Sequence, residues 1–227
     1  MNQLEVKRGR VELIVDHNGE NVTFVHPPEG PDTYQEVGKE LLNRGLTLPT
    51  AEQVVSLVHS AYNSQESEAQ EIQRIMKDRY FWIYNRNLWV PEGVYVVQDP
   101  EAIGLNEQLD REDLERRLQD ANEVNGVRFS QDGTLRYAPK ETYNLGKHTQ
   151  KSLAKDGFII ASFGSKGAKK VANLSTKFKI KPYVWGVKTP KNPVQRVSAL
   201  DSDWSIDRGL GVDGSSLGDR FGYSFGV

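Results

Sequence analysis

The stretch from Tyr80 to Val97 constrains the fold of this chain more than any other segment. Aromatic and β-branched residues dominate Tyr80 to Tyr84, Leu88 to Val90 and Val94 to Val97, with Pro91-Glu92-Gly93 as a turn. Such residues favour pleated, well-covered strands, so the segment predicts core sheet. Helical patterns lie on both sides of it, without an internal repeat or a low-complexity linker. The 227 residues are therefore predicted to form a single α+β domain.

A hairpin and three helices are predicted ahead of this sheet. Val11 to Val15 and Val22 to Val25 flank Asn18-Gly19, which favours a tight turn because both residues tolerate positive φ. The segment from His26 to Pro31 is expected to break regular structure. The first helix is expected to begin after a cap at Asp32 or Thr33 and to end at Gly45. The second is expected to begin after Thr50, with Gln53 as the capping-box partner, and the third to run from Glu68 to Arg79.

The second half of the chain is uneven in charge. A charged amphipathic helix is predicted from Asp110 to Glu123, around Leu114 and Leu118. Residues 140–191 then hold twelve lysines against two acidic residues, whereas residues 1–139 hold 14 basic against 24 acidic residues. This Lys-rich insert is expected to contain a short helix from Ala168 to Phe178 and a strand from Tyr183 to Val187.

Several functional classes are excluded by residues that the chain lacks. It has no cysteine, which rules out disulfide scaffolds, thiol nucleophiles and Cys-ligated metals. It has no G-x-S-x-G, and His17, His26, His59 and His148 lack the spacing of metal ligands. We therefore expect no enzyme activity, no cofactor and no metal. No membrane span or signal peptide is visible either, so we expect a cytoplasmic or virion-associated protein.

The Lys-rich insert supports an alternative function. Gly164 to Lys170 precedes a predicted helix and could hold an anion on backbone N–H groups, although it is not a Walker A loop. Aromatic residues among the lysines could also stack on nucleic acid. However, lysine without arginine gives no bidentate base readout, and a solvated basic face explains the same residues. Anion or nucleic-acid binding is thus kept as the alternative, and nucleic acid is not the expected partner.

The C-terminal tail differs in composition from the rest of the chain. After Gln195 it contains no Lys, Glu, Gln or Met, although these types supply 46 of the 227 residues. From Leu200 to Asp213, five of the seven even positions are apolar, and all odd positions are Asp, Ser or Gly, as in a half-buried strand. So much Gly, Ser and Asp costs ordering entropy and is expected to contribute little packing. Small and acidic residues of this kind suit a displayed recognition surface.

Two motifs resemble one protein family. Leu46 to Gln53 is similar to the R-L-P-T-E-A-E-W sequence before the second helix in the formylglycine-generating-enzyme branch of the C-type lectin fold. Gly222 to Val227 resembles the closing strand of that branch, and Val197 to Trp204 resembles the segment leading to it. The resemblance implies a C-type lectin-like domain over residues 1–227, with an antiparallel sheet closed by the terminal strands and two main helices.

Because the chain has no cysteine, the resemblance is to the non-catalytic relatives in this branch. Formylglycine generation requires cysteine, so the chain looks like the variable proteins of diversity-generating retroelements, including those of archaea and their viruses. In that family a C-terminal stretch is rewritten at adenines, which produces many residue types but never Lys, Glu, Gln, Met or Trp. The tail fits this rule if Trp204 is a fixed position. The Lys-rich insert departs from the family pattern, and the calcium-dependent sugar-binding motifs are missing.

The resemblance implies a binding protein that performs no chemistry on its ligand. The expected ligand is a protein or glycan on a cell or virus surface, and the expected variable region is residues 197–227. The predicted ligand-binding residues are Asp201, Asp203, Ser205, Ile206, Asp207, Gly209, Gly211, Val212, Asp213, Ser215, Asp219, Arg220, Phe221 and Tyr223. All of them except Ile206, Gly211, Val212 and Arg220 are expected to be largely exposed. Trp204 and Phe225 are expected to be buried.

Overall fold

The computed structural model describes residues 5–7, 12–202 and 209–227. Its helices are α1 Tyr34–Asn43, α2 Ala51–Ala61, α3 Ser67–Asp78, α4 Arg111–Arg117, α5 Gln150–Leu153 and α6 Gly157–Ser175. None of these described helices has the length and apolar character needed to cross a bilayer. The strands are β1 Glu5–Lys7, β2 Glu12–His17, β3 Glu20–Asp32, β4 Tyr80–Val90, β5 Gly93–Gln98, β6 Asn122–Val124, β7 Val127–Phe129, β8 Leu135–Pro139, β9 Gly146–Lys147, β10 Tyr183–Trp185, β11 Val194–Asp201, β12 Gly211–Ser216 and β13 Gly222–Gly226.

The strands form one mixed sheet around β4. The strand order is β1-β2-β3-β13-β4-β11-β12-β10-β9, and β5, β8, β7 and β6 branch from β4. Most neighbours are antiparallel, but β13 runs parallel to β4 and β10 runs parallel to β12. These two strands join the sheet by crossover connections, which permit parallel pairing where a hairpin does not.

Helices cover both faces of the central strand β4. Phe81, Ile83 and Trp89 lie in the main core with side chains of α2, α3 and α6. Trp82 on the opposite face packs against α1, and Leu88, also on that face, packs against α4. Because the two faces alternate along the strand, the aromatic run is buried on both sides. The prediction of core sheet in this segment is confirmed.

Local signals in the first half are also confirmed. Asn18 and Gly19 both have positive φ, 62° and 100°, and join β2 to β3. Thr33 caps α1, accepting from the amide of Glu36. Thr50 and Gln53 form the capping box of α2, with each side chain bonded to the other's backbone N–H. These motifs succeed because their hydrogen bonds are made within a few residues.

Two predictions of local structure were wrong. His26 to Pro31 does not interrupt the sheet but belongs to β3, whose pairing with β13 shifts register on both sides of Ser224. Such irregularities accommodate prolines, which cannot donate to a regular ladder. The helix predicted from Asp110 to Glu123 ends at Arg117, because Asn122–Val124 pairs with β7 across an Asn125-Gly126 turn.

The C-terminal strand completes the sheet. β13 lies between β3 and β4, with Gly226 opposite Val25. Phe225 is fully buried and stacks on Phe81 with ring centroids 5.8 Å apart. Val227 exchanges two backbone hydrogen bonds with Thr47, at 2.9 and 3.0 Å. The chain end is therefore part of the framework, and the expected burial of Phe225 is confirmed.

Phe225→Ala should cost about 3–5 kcal/mol of unfolding free energy, because it opens a cavity against Phe81. Phe221→Ala is a matched control, since Phe221 is 61% exposed and its loss should cost about 0.5 kcal/mol or less. Urea unfolding of both variants measures the difference. Equal losses in the two variants would contradict the position of β13.

Candidate recognition surface

The tail contributes three strands at two places in the sheet. β11 and β12 lie side by side, and β13 lies across β4 from them. Four predicted site residues between β11 and β12 fall outside the described residues: Asp203, Ser205, Ile206 and Asp207. Trp204, whose burial was expected, also falls outside them.

Several tail residues predicted to be exposed are buried. Asp201 and Asp213 are only 6% and 7% exposed, and Gly209 is buried as well. The exposure predicted for these three residues was wrong. Gly211 and Val212 are buried too, which removes them from the surface of the free protein. The reason is that other side chains cover these positions, since Tyr80 bonds to Asp213 and the Asp201 carboxylate lies against Gly211.

The tail glycines pack closely rather than loosely. A Cβ atom on Gly211 would lie 1.9 Å from Oδ1 of Asp201, and one on Gly214 would lie 2.2 Å from the ring of Phe158. The indole of Trp89 donates to the carbonyl of Gly214 at 2.8 Å. The expectation that the small residues of the tail contribute little packing was therefore wrong at these positions, because their size allows close approach.

Asp213 is held by hydrogen bonds from two neighbours. The Tyr80 hydroxyl donates to its Oδ2 at 3.0 Å, and the Ser215 amide and hydroxyl donate to its Oδ1 at 2.7 and 2.8 Å. Burial, followed by the charges of Asp213 and Asp201, raises the pKa of Tyr80 well above its ordinary value. Tyr80 therefore stays protonated and continues to donate, which fits a structural role for Asp213.

The turn between β12 and β13 carries the exposed part of the tail. Asp219, Arg220 and Phe221 are exposed there, as predicted for Asp219 and Phe221, together with Leu217, which the sequence did not single out. The α1 helix holds this turn, since the Tyr34 amide donates to the carbonyl of Gly218 at 3.0 Å. Ser215 and Tyr223 are half-buried beside it.

The Lys-rich insert adds an aromatic pair next to the tail. β10 pairs with β12 so that Trp185 lies opposite Asp213, and Val184 faces the main core. Tyr183 and Trp185 point to the other face, with ring centroids 4.1 Å apart and Trp185 43% exposed. Alternation along the strand predicts that the two aromatics share a face, but only the fold shows that this face is open.

Exposed apolar side chains concentrate around the tail. Four large hydrophobic side chains are exposed among the described residues: Val124, Trp185, Leu217 and Phe221. Two belong to the β12–β13 turn and a third lies on the strand paired with β12. Exposed aromatic and apolar groups among polar ones are typical of recognition surfaces. We call Tyr183, Trp185, Ser215, Leu217, Asp219, Arg220, Phe221 and Tyr223 the recognition surface.

The alternative anion loop is not present. Gly164 is buried and lies inside α6, where its φ of 69° bends the helix. The carboxylate of Glu52 lies 3.3 Å from the position of a Cβ on Gly164, at the start of the second half of α6. An acidic side chain of the protein itself thus faces this helix start, where its charge is favourable. Gly164 to Lys170 therefore lies within α6 and does not form the open glycine-rich loop that the alternative function would use.

Alanine substitution should destabilise the protein more at the buried Asp213 than at the exposed Asp219. Asp213→Ala leaves the donors of Tyr80 and Ser215 without their acceptor and should cost about 1–3 kcal/mol of unfolding free energy. Asp219→Ala, at an exposed position, should cost about 0.5 kcal/mol or less. Chemical denaturation measures both values, and a cost for Asp219→Ala as large as that for Asp213→Ala would contradict this division of the tail.

Comparison with known proteins yields a structural likeness. No protein-family model matches the chain, and no curated protein is significantly similar to it. A solved structure, described as the accommodation of massive sequence variation in Nanoarchaeota by the C-type lectin fold, aligns with a TM-score of 0.50 and 10% identity. The alignment covers 88% of this chain and 97% of that chain. The α+β architecture described above is thus a C-type lectin fold.

Proposed function

We propose that this protein is a non-catalytic recognition protein that presents a C-terminal surface on a C-type lectin scaffold. The observation that carries the proposal is the concentration of exposed apolar groups at the β12–β13 turn and beside β12. The structural likeness supports it, because the similar protein is one in which this fold accommodates massive sequence variation. The proposed ligand is a protein or glycan on a cell or virus surface.

Binding on such a surface requires only contacts and a rigid support. The side chains of Leu217, Asp219 and Phe221 are exposed, so that they can change without opening the core. Beneath them, Val212 and Phe225 are fully buried and hold the strands in place. Trp185 and Phe221 offer large apolar area, which commonly supplies the central contacts of an interface. Affinity would depend on how well these groups match the ligand.

We also propose that the tail is diversified by a retroelement, in a member of the formylglycine-generating-enzyme-like branch. The absence of Lys, Glu, Gln and Met after Gln195 supports this, because adenine-directed rewriting cannot produce these residues. The burial pattern adds a requirement. Diversification can persist only if it avoids codons for core residues such as Val212 and Phe225.

The DNA beside the coding sequence tests the retroelement. We expect a near-identical repeat of the bases that encode the tail, close to a reverse transcriptase gene, with differences confined to adenines of the repeat. These differences should fall in codons of exposed residues such as Asp219 and Phe221, and not in the Phe225 codon. A repeat with differences at all four bases, or the absence of any repeat, would refute diversification but not binding.

Ligand selection tests the recognition surface. Glycan arrays and a displayed peptide library supply the probes, and the strongest binder is titrated against variants of the full chain. The double variant Trp185→Ala, Phe221→Ala should lower affinity about thirtyfold or more, because truncated central anchors commonly cost about 2 kcal/mol or more in total. Lys166→Ala with Lys169→Ala is the control, since both lysines are exposed on α6 and should change affinity less than about twofold.

The same variants distinguish ligand binding at the recognition surface from nucleic-acid binding through the lysines. Single- and double-stranded nucleic acid are titrated at low and moderate salt. We expect weak binding that does not compete with the selected ligand. Tight binding that falls steeply with salt, depends on Lys166 and Lys169 and ignores the Trp185 and Phe221 substitutions would overturn the proposed function.

A further inference from the structure

A polar cavity lies on the side of the sheet that α2 and α6 cover. The start of α2, the adjoining strands β4, β5 and β8, and the first half of α6 enclose about 80 Å³. Most of its lining is polar, although the surrounding core is apolar. The polar lining side chains are Thr50, Glu52, Asn85, Gln98, Arg136 and Ser162.

The bend in α6 explains why arginine and asparagine point here. In an unbroken helix the carbonyls of Ala161 and Ser162 would accept from amides four residues later, but Gly164 is not helical. Arg136 Nη1 instead donates to the Ala161 carbonyl at 3.1 Å, and Asn85 Nδ2 donates to the Ser162 carbonyl at 3.1 Å. Arg136 is thereby drawn into the protein with only part of its guanidinium bonded.

The Arg136 guanidinium lies over the Phe129 ring, 5.3 Å from its centroid, but its hydrogen bonding is incomplete. Nε of Arg136 is buried without a hydrogen-bond acceptor among the described residues, and none of their carboxylates forms an ion pair with it. The hydroxyl of Ser162, a residue only 2% exposed, is also buried without a described partner. Burial lowers the pKa of Arg136, and the charge of Glu52 partly opposes this. A buried cation is costly unless an anion or several acceptors surround it.

The cavity lining also includes an acidic side chain, Glu52. Glu52 extends from the first turn of α2, and its Oε1 accepts from Asn18 Nδ2 at 3.2 Å. Its carboxylate lines the same cavity as the Arg136 guanidinium without pairing with it. A cation and an anion that line one small polar space without forming an ion pair match a ligand that carries both charges.

We propose that this cavity binds a small zwitterion, namely an α-amino acid with a minimal side chain. Its carboxylate lies against Arg136 and Ser162, and its ammonium group lies against Glu52. The planar guanidinium suits a carboxylate, since two of its N–H groups can bond both oxygens. A volume of about 80 Å³ holds roughly five to eight water-sized groups. This size suits glycine or alanine better than leucine.

Isothermal titration of the full chain tests the proposal. Glycine and alanine are the probes, acetate and methylammonium are the separate halves, and leucine is the oversized control. We expect glycine or alanine to bind at least tenfold more tightly than either half, with no heat from leucine. Arg136→Gln and Glu52→Gln should each weaken binding at least tenfold, because each removes one charge contact. Lys166→Ala changes an exposed lysine outside the cavity and should leave binding unchanged.

Three results would overturn the proposal. Acetate binding as tightly as glycine would show a simple anion site, and the absence of heat at ~10 mM glycine or alanine would show no site of useful affinity. Unchanged affinity in Glu52→Gln would also reject it. Circular dichroism reports whether Arg136→Gln folds, and Ser162→Ala provides a second test if it does not. None of these results bears on the Trp185 and Phe221 experiment, because the two sites share no residue.

Discussion

The insertion of β13 between β3 and β4 is the pairing on which the rest of the fold depends. In the described sheet, β1, β2 and β3 connect to the other strands only through β13. The stacking of Phe225 on Phe81 and the backbone bonds of Val227 with Thr47 fix this strand in place. The last residues of the chain therefore join its beginning to its centre. A segment with this position cannot be free to vary throughout.

The tail accordingly combines framework and surface within short distances. Asp213 is buried and bonded to Tyr80, whereas Asp219, six positions later, is exposed. Phe225 fills the core and Phe221 faces solvent. The same residue type thus serves opposite purposes, depending on whether its position is in a strand or in the turn. The strands keep the turn in one place, which is the rigid support that a recognition surface requires.

Sequence reasoning succeeded where the determining contacts are local. The Asn18-Gly19 turn and the Thr50 capping box depend on neighbours within three residues, and both could be predicted. The fold class followed from the aromatic run and from the order of the elements. The early end of α4 had a local signal as well, because Asn125-Gly126 is a hairpin turn of the same kind as Asn18-Gly19.

The site was predicted less well because burial depends on distant residues. Asp213 is covered in part by Tyr80, 133 positions away in the chain, and no local pattern reveals that contact. The open face of Trp185 likewise depends on how β10 docks beside β12. The Arg136 cavity depends on the bend of α6 at Gly164, where the glycines of the sequence suggest a loop before a helix. Period-two alternation indicates that two faces differ, but not which of them is covered.

Because β12 is paired on both edges, the tail tolerates some kinds of mutation and not others. Its register places Val212 opposite Leu200 on one side and opposite Val184 on the other. Inserting or deleting one residue within β12 would reverse its faces, which would turn Asp213 into the apolar core and Val212 out of it. Replacing a side chain leaves the register untouched. Within the described part of the tail, changes of length are therefore confined to residues 217–221, whereas point changes can reach every exposed side chain there.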